Sequence, residues 1–168
     1  VQPTEGGHMD FAPVDAVDDA ILAALRSDHR RVSTERINSG PGIVPIYRTL
    51  CALEGRAPQL EGDRAIWGAA LAGEDAMARA ALQRFCMTLG SLAGDVALVH
   101  GASAVVLAGG LGARLGPLLA GSAFAERFRF KGRYDRLMAD LPVRLITHPE
   151  PGLLGAVAAF RQKHGDKA

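Results

Sequence analysis

The sequence is poor in aromatic residues and cysteines, and it contains no long apolar run. Aromatic residues make up 5% of the 168 residues, and the only cysteines are Cys51 and Cys86. Both lie in apolar helical patterns outside any Cys-x-x-Cys motif, which excludes a thiolate zinc site and favours buried free thiols in a reducing, cytoplasmic setting. No stretch reaches the roughly 18 apolar residues of a membrane helix, so we expect no membrane among its partners.

The sequence also has no excess of positive or negative charge. Lysine and arginine number 19 against 18 aspartate and glutamate residues, which gives a formal net charge of +1. A nucleic-acid-binding surface needs clustered basic residues, so we expect no nucleic-acid partner. The first five residues have neither the basic start nor the apolar stretch of a signal peptide. With 48% hydrophobic residues, the chain is long enough for one domain with a real core.

Helical patterns dominate the first hundred residues. An acidic start followed by apolar spacing predicts a helix over residues 14–26, and further helices are expected after Pro41, from Asp63 and from Asp75. Pro45 must then lie in the first turn of its helix, where the ring does not break hydrogen bonds. The helix after Asp75 is expected to be the longest and central, with one apolar stripe: Ala78, Leu82, Phe85, Leu89, Leu92, Val96 and Val99.

Two short β-branched segments change this pattern in the second half. Residues 103–108 and 142–147 are predicted as strands, the first as a buried parallel strand. A helical region from Leu115 to Phe128 lies between them, and a last helix reaches about His164. Strand, helix, strand, helix is typical of a right-handed crossover, so the second half is predicted to be α/β.

A carboxylate and an imidazole flank two glycines near the start, in Glu5-Gly-Gly-His8. A zinc pair, a surface loop and a site for a polyhydroxylated ligand are the three alternatives. The zinc pair lacks further ligands at a suitable spacing. A sugar best explains the composition, because a carboxylate accepts from hydroxyls and a neutral imidazole donates or accepts. Glu35 is the candidate third side chain, whereas His29, His100, His148 and His164 are interpreted as solvated or capping residues.

Two glycine-rich stretches are candidate nucleotide contacts. Gly109 and Gly110 follow the first predicted strand, where glycines commonly let a nucleotide approach the backbone, although a plain strand-to-helix turn explains them equally well. Gly40 lies in Ser-Gly-Pro-Gly, which either presents helix N-terminal N–H groups to a phosphate or simply starts a helix. The plain helix start is the favoured reading there.

Five motifs in order resemble the bacterial ATP-dependent glucokinases of the hexokinase–actin superfold. They are E-G-G-H-M-D-F-A-P, V-S-T-E-R-I-N-S-G-P-G-I-V-P-I-Y-R, V-V-L-A-G-G-L, F-K-G-R-Y and P-E-P-G-L-L-G-A, from Glu5 to the C-terminal helix. The resemblance implies the C-terminal lobe of an actin-like, ribonuclease H-like α/β fold, with a large central helix and a small sheet.

The same resemblance implies a function and a set of site residues. Glu5, His8 and Glu35 match the family's glucose-binding residues, and Gly109 and Gly110 match its adenosine-side loop. The implied reaction is ATP-dependent phosphorylation of the 6-hydroxyl of glucose, a step of glycolysis, with Mg²⁺ accompanying ATP. The related zinc-bearing sugar kinases and repressors carry a cysteine-rich motif, but no cysteine lies between His8 and Glu35, so no metal is predicted within the chain.

One departure from the family concerns the upstream half. The family's Asp-Gly-Gly phosphate loop does not occur, nor does its Asn-Asp pair, whose aspartate is the general base. We therefore expect residues 1–168 to be the C-terminal lobe alone, inactive in isolation, with the base upstream of Val1. The alternative is a non-catalytic sugar-binding or interaction module. Apolar surface left on the cleft side would favour a homodimer.

Overall fold

Eight α-helices and two β-strands make up the regular structure of the computed structural model, which describes residues 4–165. Three short 3₁₀ turns, at Gly6–His8, Thr34–Arg36 and Gly132–Tyr134, connect them. The helices and strands are, in chain order, α1 (Ala16–Asp28), α2 (Ile43–Leu53), α3 (Gly62–Ala72), α4 (Ala76–Val99), β1 (Val105–Leu107), α5 (Gly109–Leu119), α6 (Phe124–Arg129), α7 (Asp135–Asp140), β2 (Val143–Leu145) and α8 (Pro151–His164).

Two helices, α1 and α4, begin at capping residues that the sequence provides. The Asp15 carboxylate accepts hydrogen bonds from the Val17 and Asp18 amides, and that of Asp75 accepts one from the Ala78 amide. These bonds satisfy N–H groups that have no partner inside the first helical turn. Pro45 is the third residue of α2, within its first turn as predicted.

Helix α4 is the long central helix, as predicted, and it packs against α2, α3 and α6. Its 24 residues span about 36 Å at 1.5 Å per residue. The predicted stripe holds for the first half, where Ala78, Leu82 and Phe85 are buried. It is wrong at the far end, where Val99 is exposed and Gly90, Gly94 and Ala97 are buried instead.

The close approach of α6 explains this change of face. A Cβ on Gly90 would overlap the backbone of Phe124, and one on Gly94 would overlap the Phe128 carbonyl and the Lys131 side chain. Only glycine lets the two backbones come this near. The Lys131 ammonium crosses α4 there, 2.7 Å from an Asp95 carboxylate oxygen, and donates to the Ser91 carbonyl.

An ion-paired cluster joins α1 to α4. The Arg84 guanidinium lies 2.6 Å from an Asp15 carboxylate oxygen and 3.2 Å from one of Asp18. Burial raises the pKa of Asp18, with the Arg84 charge opposing it. Burial acts in the same direction on Asp15, but its bonds to Arg84 and to backbone amides outweigh it and lower its pKa. The pKa values of the two carboxylates in this cluster are therefore shifted in opposite directions.

The two strands form a parallel pair, with Val105 opposite Val143 and Leu107 opposite Leu145. Both strands are shorter than predicted, and β1 is not buried as expected, because the Val106 side chain is 54% exposed. Helix α5 covers one face, where Gly112 and Gly116 face Leu145. The predicted pairing is thus confirmed and the predicted burial is wrong.

The helical region expected from Leu115 to Phe128 is divided in two. The Ser122 hydroxyl donates to the Leu119 carbonyl, 2.9 Å away, and accepts from the Phe124 amide at 3.3 Å. Both bonds lie in the turn that separates α5 from α6, and such side-chain bonds to the backbone compete with helix continuation. Cys51 and Cys86 are buried free thiols, as predicted. The α/β fold class with a long central helix and a small sheet is confirmed, and no helix in residues 4–165 is long and apolar enough to cross a membrane.

Candidate functional site

Two loops come together at the N-terminal end of the described chain, and they carry the predicted sugar-binding residues. A single antiparallel bridge joins Asp10 to Ser33. The Phe11 amide donates to the Val32 carbonyl at 3.0 Å, and the Thr34 amide donates to the Met9 carbonyl at 2.8 Å. These bonds align a loop of residues 5–10 with a loop of residues 31–36, although more than twenty residues separate the two along the chain.

The Glu5-Gly-Gly-His8 stretch forms a 3₁₀ turn. The His8 amide donates to the Glu5 carbonyl at 2.9 Å, so the turn fixes the two residues relative to each other through the backbone. Gly7 faces the second loop: a Cβ placed there would lie 3.5 Å from both Cβ and Oε2 of Glu35. The Gly-Gly pair thus brings the turn alongside Glu35.

His8 and Glu35, two of the predicted site residues, lie side by side. His8 Nδ1 is 3.7 Å from Glu35 Oε2, and the side chains are 59% and 47% exposed. This separation is longer than a hydrogen bond, so both polar groups remain available to a ligand. Glu5 is also exposed, and its side chain makes no hydrogen bond or ion pair with any residue in 4–165. The three side chains therefore offer acceptors and an imidazole to a polar molecule from one pair of loops.

Glu35 also borders a cavity of about 590 Å³ between α1, the Thr34–Arg36 turn and α2. Its walls include Ser39, Pro41 and Arg48, from the stretch that leads into α2. This volume is within the range of small-molecule sites. In the part of the chain that the structure describes, no group of three or more His, Cys, Asp or Glu side chains is arranged to hold a metal ion.

Sequence reasoning missed two residues, Thr34 and Arg31, whose side chains donate hydrogen bonds to the backbone carbonyls of the His8 turn. The Thr34 hydroxyl donates to the Gly7 carbonyl at 2.8 Å, and the Arg31 guanidinium donates to the His8 carbonyl. Arg31 Nε also donates to an Asp10 carboxylate oxygen, 2.6 Å away. Neither a lone threonine nor a lone arginine in a polar loop carries a sequence signal for such a role; only their neighbourhood to Glu35 could have suggested it.

Gly109 and Gly110 begin α5 directly after β1. Gly109 has a φ of +88°, a conformation that residues with a Cβ rarely adopt. A Cβ on either glycine would meet nothing within 4 Å, so the helix N-terminus is open to an approaching molecule. This geometry is compatible with a nucleotide and equally with a plain strand-to-helix turn.

Gly40 lies in a turn that is well explained by packing. Its carbonyl accepts a hydrogen bond from Trp67 Nε1 at 2.8 Å. The Gly42 amide donates to the Ser39 carbonyl, which leaves that amide unavailable to a phosphate. Trp67 in turn lies under the Arg114 guanidinium of α5, 5.5 Å from the ring centroid. The contacts favour a plain helix start, and they link Gly40 through Trp67 to the helix that Gly109 begins.

The other histidines lie at or near helix ends, as interpreted from the sequence. His29 and His100 are the residues that follow α1 and α4, and each donates its backbone amide into the preceding helix. His148 Nδ1 accepts from the Glu150 amide, at 3.0 Å, just before α8. His164 is the last residue of α8 and packs against Phe160. Of these four, His29 lines the cavity that Glu35 borders.

Comparison with known proteins yields one family. A family model described as "Glucokinase" matches residues 1–163. The chain is 53% identical to a glucokinase of Zymomonas mobilis over 163 residues and 43% identical to one of Yersinia pestis (strain Pestoides F) over 162. These alignments cover 97% and 96% of this chain but 50% of each relative, so the chain spans about half the length of the curated relatives it matches.

A solved structure leads to the same group. The crystal structure of a glucokinase from an Antarctic psychrotroph superimposes with a TM-score of 0.85 at 37% sequence identity. It covers 95% of this chain and 50% of that chain. The helices and the parallel strand pair described above are thus similar to one half of a solved glucokinase.

Proposed function

Because this chain belongs to the glucokinase family, we propose that residues 1–168 form the C-terminal lobe of an enzyme that transfers the γ-phosphoryl group of ATP to the 6-hydroxyl of glucose. The upstream half, with the phosphate loop and the general base, would be the part of the relatives that this chain does not cover. The product, a glucose phosphate, would enter glycolysis. The chain would be inactive by itself.

The observation that carries this proposal is the pairing of His8 with Glu35. Two side chains distant in sequence lie 3.7 Å apart, exposed, on loops held by backbone hydrogen bonds. Glu5 is fixed to His8 by the 3₁₀ turn. Carboxylates accept from sugar hydroxyls, and an imidazole donates or accepts, so the trio suits one hexose ring better than an apolar ligand.

In this mechanism the chain binds and orients the sugar, and it does not take the proton. Glu5, His8 and Glu35 would hold hydroxyls so that the 6-oxygen points at the γ-phosphorus, and such positioning supplies much of the rate in phosphoryl transfer. The general base would be an aspartate of the upstream half. Closure of the two lobes would exclude water as a competing acceptor.

The nucleotide would contact the start of α5. Gly109 and Gly110 are proposed as its adenosine-side residues because they match the family's adenosine-side loop, and the open N-terminus of α5 leaves room for it. Gly40 is a weaker candidate, because its turn is accounted for by the Trp67 hydrogen bond. Mg²⁺ would arrive with the ATP phosphates and neutralise their charge.

A second candidate is a non-catalytic sugar-binding module, motivated by the lack of the family's Asn-Asp pair in residues 1–168. It requires that the isolated chain bind glucose, which calorimetry can measure directly. Loss of the binding heat in Glu5→Ala and His8→Ala would support the module. We expect weak or no binding, because half of the sugar pocket would lie on the upstream lobe. A cytoplasmic location is proposed from the two buried free thiols.

The decisive experiment is a chimera that joins the upstream half of the Zymomonas mobilis glucokinase to residues 1–168. We expect ATP-dependent phosphorylation of glucose by the purified chimera. The intact Zymomonas mobilis protein is the positive control, and residues 1–168 alone are the negative control. A folded chimera that phosphorylates no hexose would overturn the proposed function.

A further inference from the structure

Three consecutive backbone carbonyls, those of Gly7, His8 and Met9, accept hydrogen bonds from the loop that carries Glu35. The Gly7 carbonyl accepts from the Thr34 hydroxyl at 2.8 Å, and the Met9 carbonyl accepts from the Thr34 amide at 2.8 Å. Between them, the His8 carbonyl accepts from the Arg31 guanidinium. Every carbonyl from residue 7 to residue 9 therefore has a donor from residues 31–34.

Thr34 can hold this position because it is fixed itself. Thr34 is only 5% exposed, and its backbone carbonyl accepts hydrogen bonds from the Ile37 amide at 3.1 Å and the Asn38 amide at 2.8 Å. The hydroxyl and the amide of one buried residue thus reach both neighbours of His8. Because Glu35 is the next residue along, any movement of Thr34 would change the distance between the His8 imidazole and the Glu35 carboxylate.

Arg31 supports the same turn from the solvent side. Its side chain is 58% exposed, and it reaches both the His8 carbonyl and, at 2.6 Å, an Asp10 carboxylate oxygen. A guanidinium presents several donors in one rigid plane, so it can hold two acceptors on one loop at once. The loss of this contact would free the turn without opening the core.

We propose that Thr34 and Arg31 are positioning residues that hold His8 in register with Glu35 for hexose binding. The inference rests on the proposed function, since it assigns a role within the same sugar site. Neither side chain needs to touch the sugar. Their effect is to hold the two loops in the binding conformation before the hexose arrives. Hexose binding then does not have to order these loops, which would weaken it.

The test uses the chimera and compares Thr34→Val with Thr34→Ser. Valine keeps the shape and removes the hydroxyl, so we expect the glucose KM to rise about three- to tenfold while the ATP KM stays unchanged. Serine keeps the hydroxyl, so the glucose KM of Thr34→Ser should stay within about twofold of that of the unsubstituted chimera. Ser122→Ala is the control, because the Ser122 hydroxyl is also hydrogen-bonded, to the backbone of Leu119 and Phe124 in the turn between α5 and α6.

A purely structural role for Thr34 would give a different result. It would lower the melting temperature and the active fraction in Thr34→Val and Ser122→Ala alike, and leave the glucose KM of both unchanged. That outcome would overturn the inference while the activity of the unsubstituted chimera upheld the proposed function. An inactive but folded parent chimera would overturn the proposed function and the inference with it.

Arg31→Gln provides a variant that does not disturb the core. We expect its glucose KM to rise about threefold or more, because the charge-assisted bond to the His8 carbonyl is lost. Arg30→Gln is the control for the change of charge, because Arg30 is the exposed residue next to Arg31 along the chain. Equal glucose KM values in Arg31→Gln and Arg30→Gln would contradict the role given to Arg31.

Discussion

At the scale of single residues, the proposed sugar site depends on acceptors that the fold leaves exposed. The carboxylates of Glu5 and Glu35 are exposed, whereas buried carboxylates such as Asp18 are engaged with Arg84. The composition of the sequence suggested Glu5, His8 and Glu35 before the resemblance implied them, and their role stays a prediction; the structure places His8 3.7 Å from Glu35. The supporting role of Arg31 and Thr34 could not be predicted, because it depends on a bridge between loops far apart in sequence.

Removing the negative charge at Glu35 should weaken glucose binding. We expect Glu35→Gln in the chimera to raise the glucose KM about ten- to a hundredfold, because a hydrogen bond to a charged acceptor is worth about 1.5–3 kcal/mol. Steady-state kinetics with varied glucose at saturating ATP measure this. Glu54→Gln, at an exposed position just after α2, is the matched control and should leave the KM unchanged.

The Asp15–Arg84 pair should contribute stability that depends on pH. Asp15 has a lowered pKa in the folded chain, so its stabilising effect is present at neutral pH and is lost as the pH falls below the ordinary value of 3.8. Asparagine at this position keeps the cap of α1 and removes the charge. We expect Asp15→Asn to lower the free energy of unfolding by up to about 1 kcal/mol at pH 7, allowing for solvent screening, and by less at pH 3. Urea denaturation at several pH values measures it, and a deficit that grows towards pH 3 would contradict it.

At the scale of helices and strands, the ends were easier to predict than the contacts. Asp15 and Asp75 cap their helices through hydrogen bonds to residues two or three positions along, so the residue type next to a helical pattern indicates the helix start. The buried face of the second half of α4 was mispredicted, because it consists of Gly90, Gly94 and Ala97, which carry almost no hydrophobic signal. Their burial follows from how closely α6 packs, a long-range property.

The glycine contact between α4 and α6 provides a test at this scale. A methyl group on Gly90 would overlap the Phe124 backbone, so we expect Gly90→Ala to destabilise the chain by about 1–3 kcal/mol. Gly68→Ala on α3 is the matched control, where the added methyl group meets nothing within 4 Å. There the better helix propensity of alanine should stabilise by about 0.5–1 kcal/mol. Equal effects in urea denaturation would contradict the close packing.

At the scale of the whole molecule, apolar surface remains uncovered around the sheet and the last helix. Leu153 and Phe160 of α8 are 65% and 67% exposed, and Val106 of β1 is more than half exposed. Exposed apolar residues of this size commonly mark an interface. The relatives are about twice as long as this chain, so the proposed upstream lobe is the expected partner for part of this surface.

The isolated chain should therefore associate with itself. We expect residues 1–168 to form a homodimer at micromolar concentrations, as proposed from the sequence, and Phe160→Asp to shift it towards monomer by removing apolar contact on α8. Sedimentation velocity measures both. Gln162→Asp, a charge change at an exposed position on the same helix, is the control. A chain that remains monomeric at all concentrations would contradict the homodimer.

The most direct test of the account is a crystal structure of the chimera with glucose and a non-hydrolysable ATP analogue. We predict that a glucose ring lies between the two loops, with its hydroxyls about 2.6–3.2 Å from the side chains of Glu5, His8 and Glu35. A glucose molecule bound elsewhere, without contact to these three side chains, would contradict it.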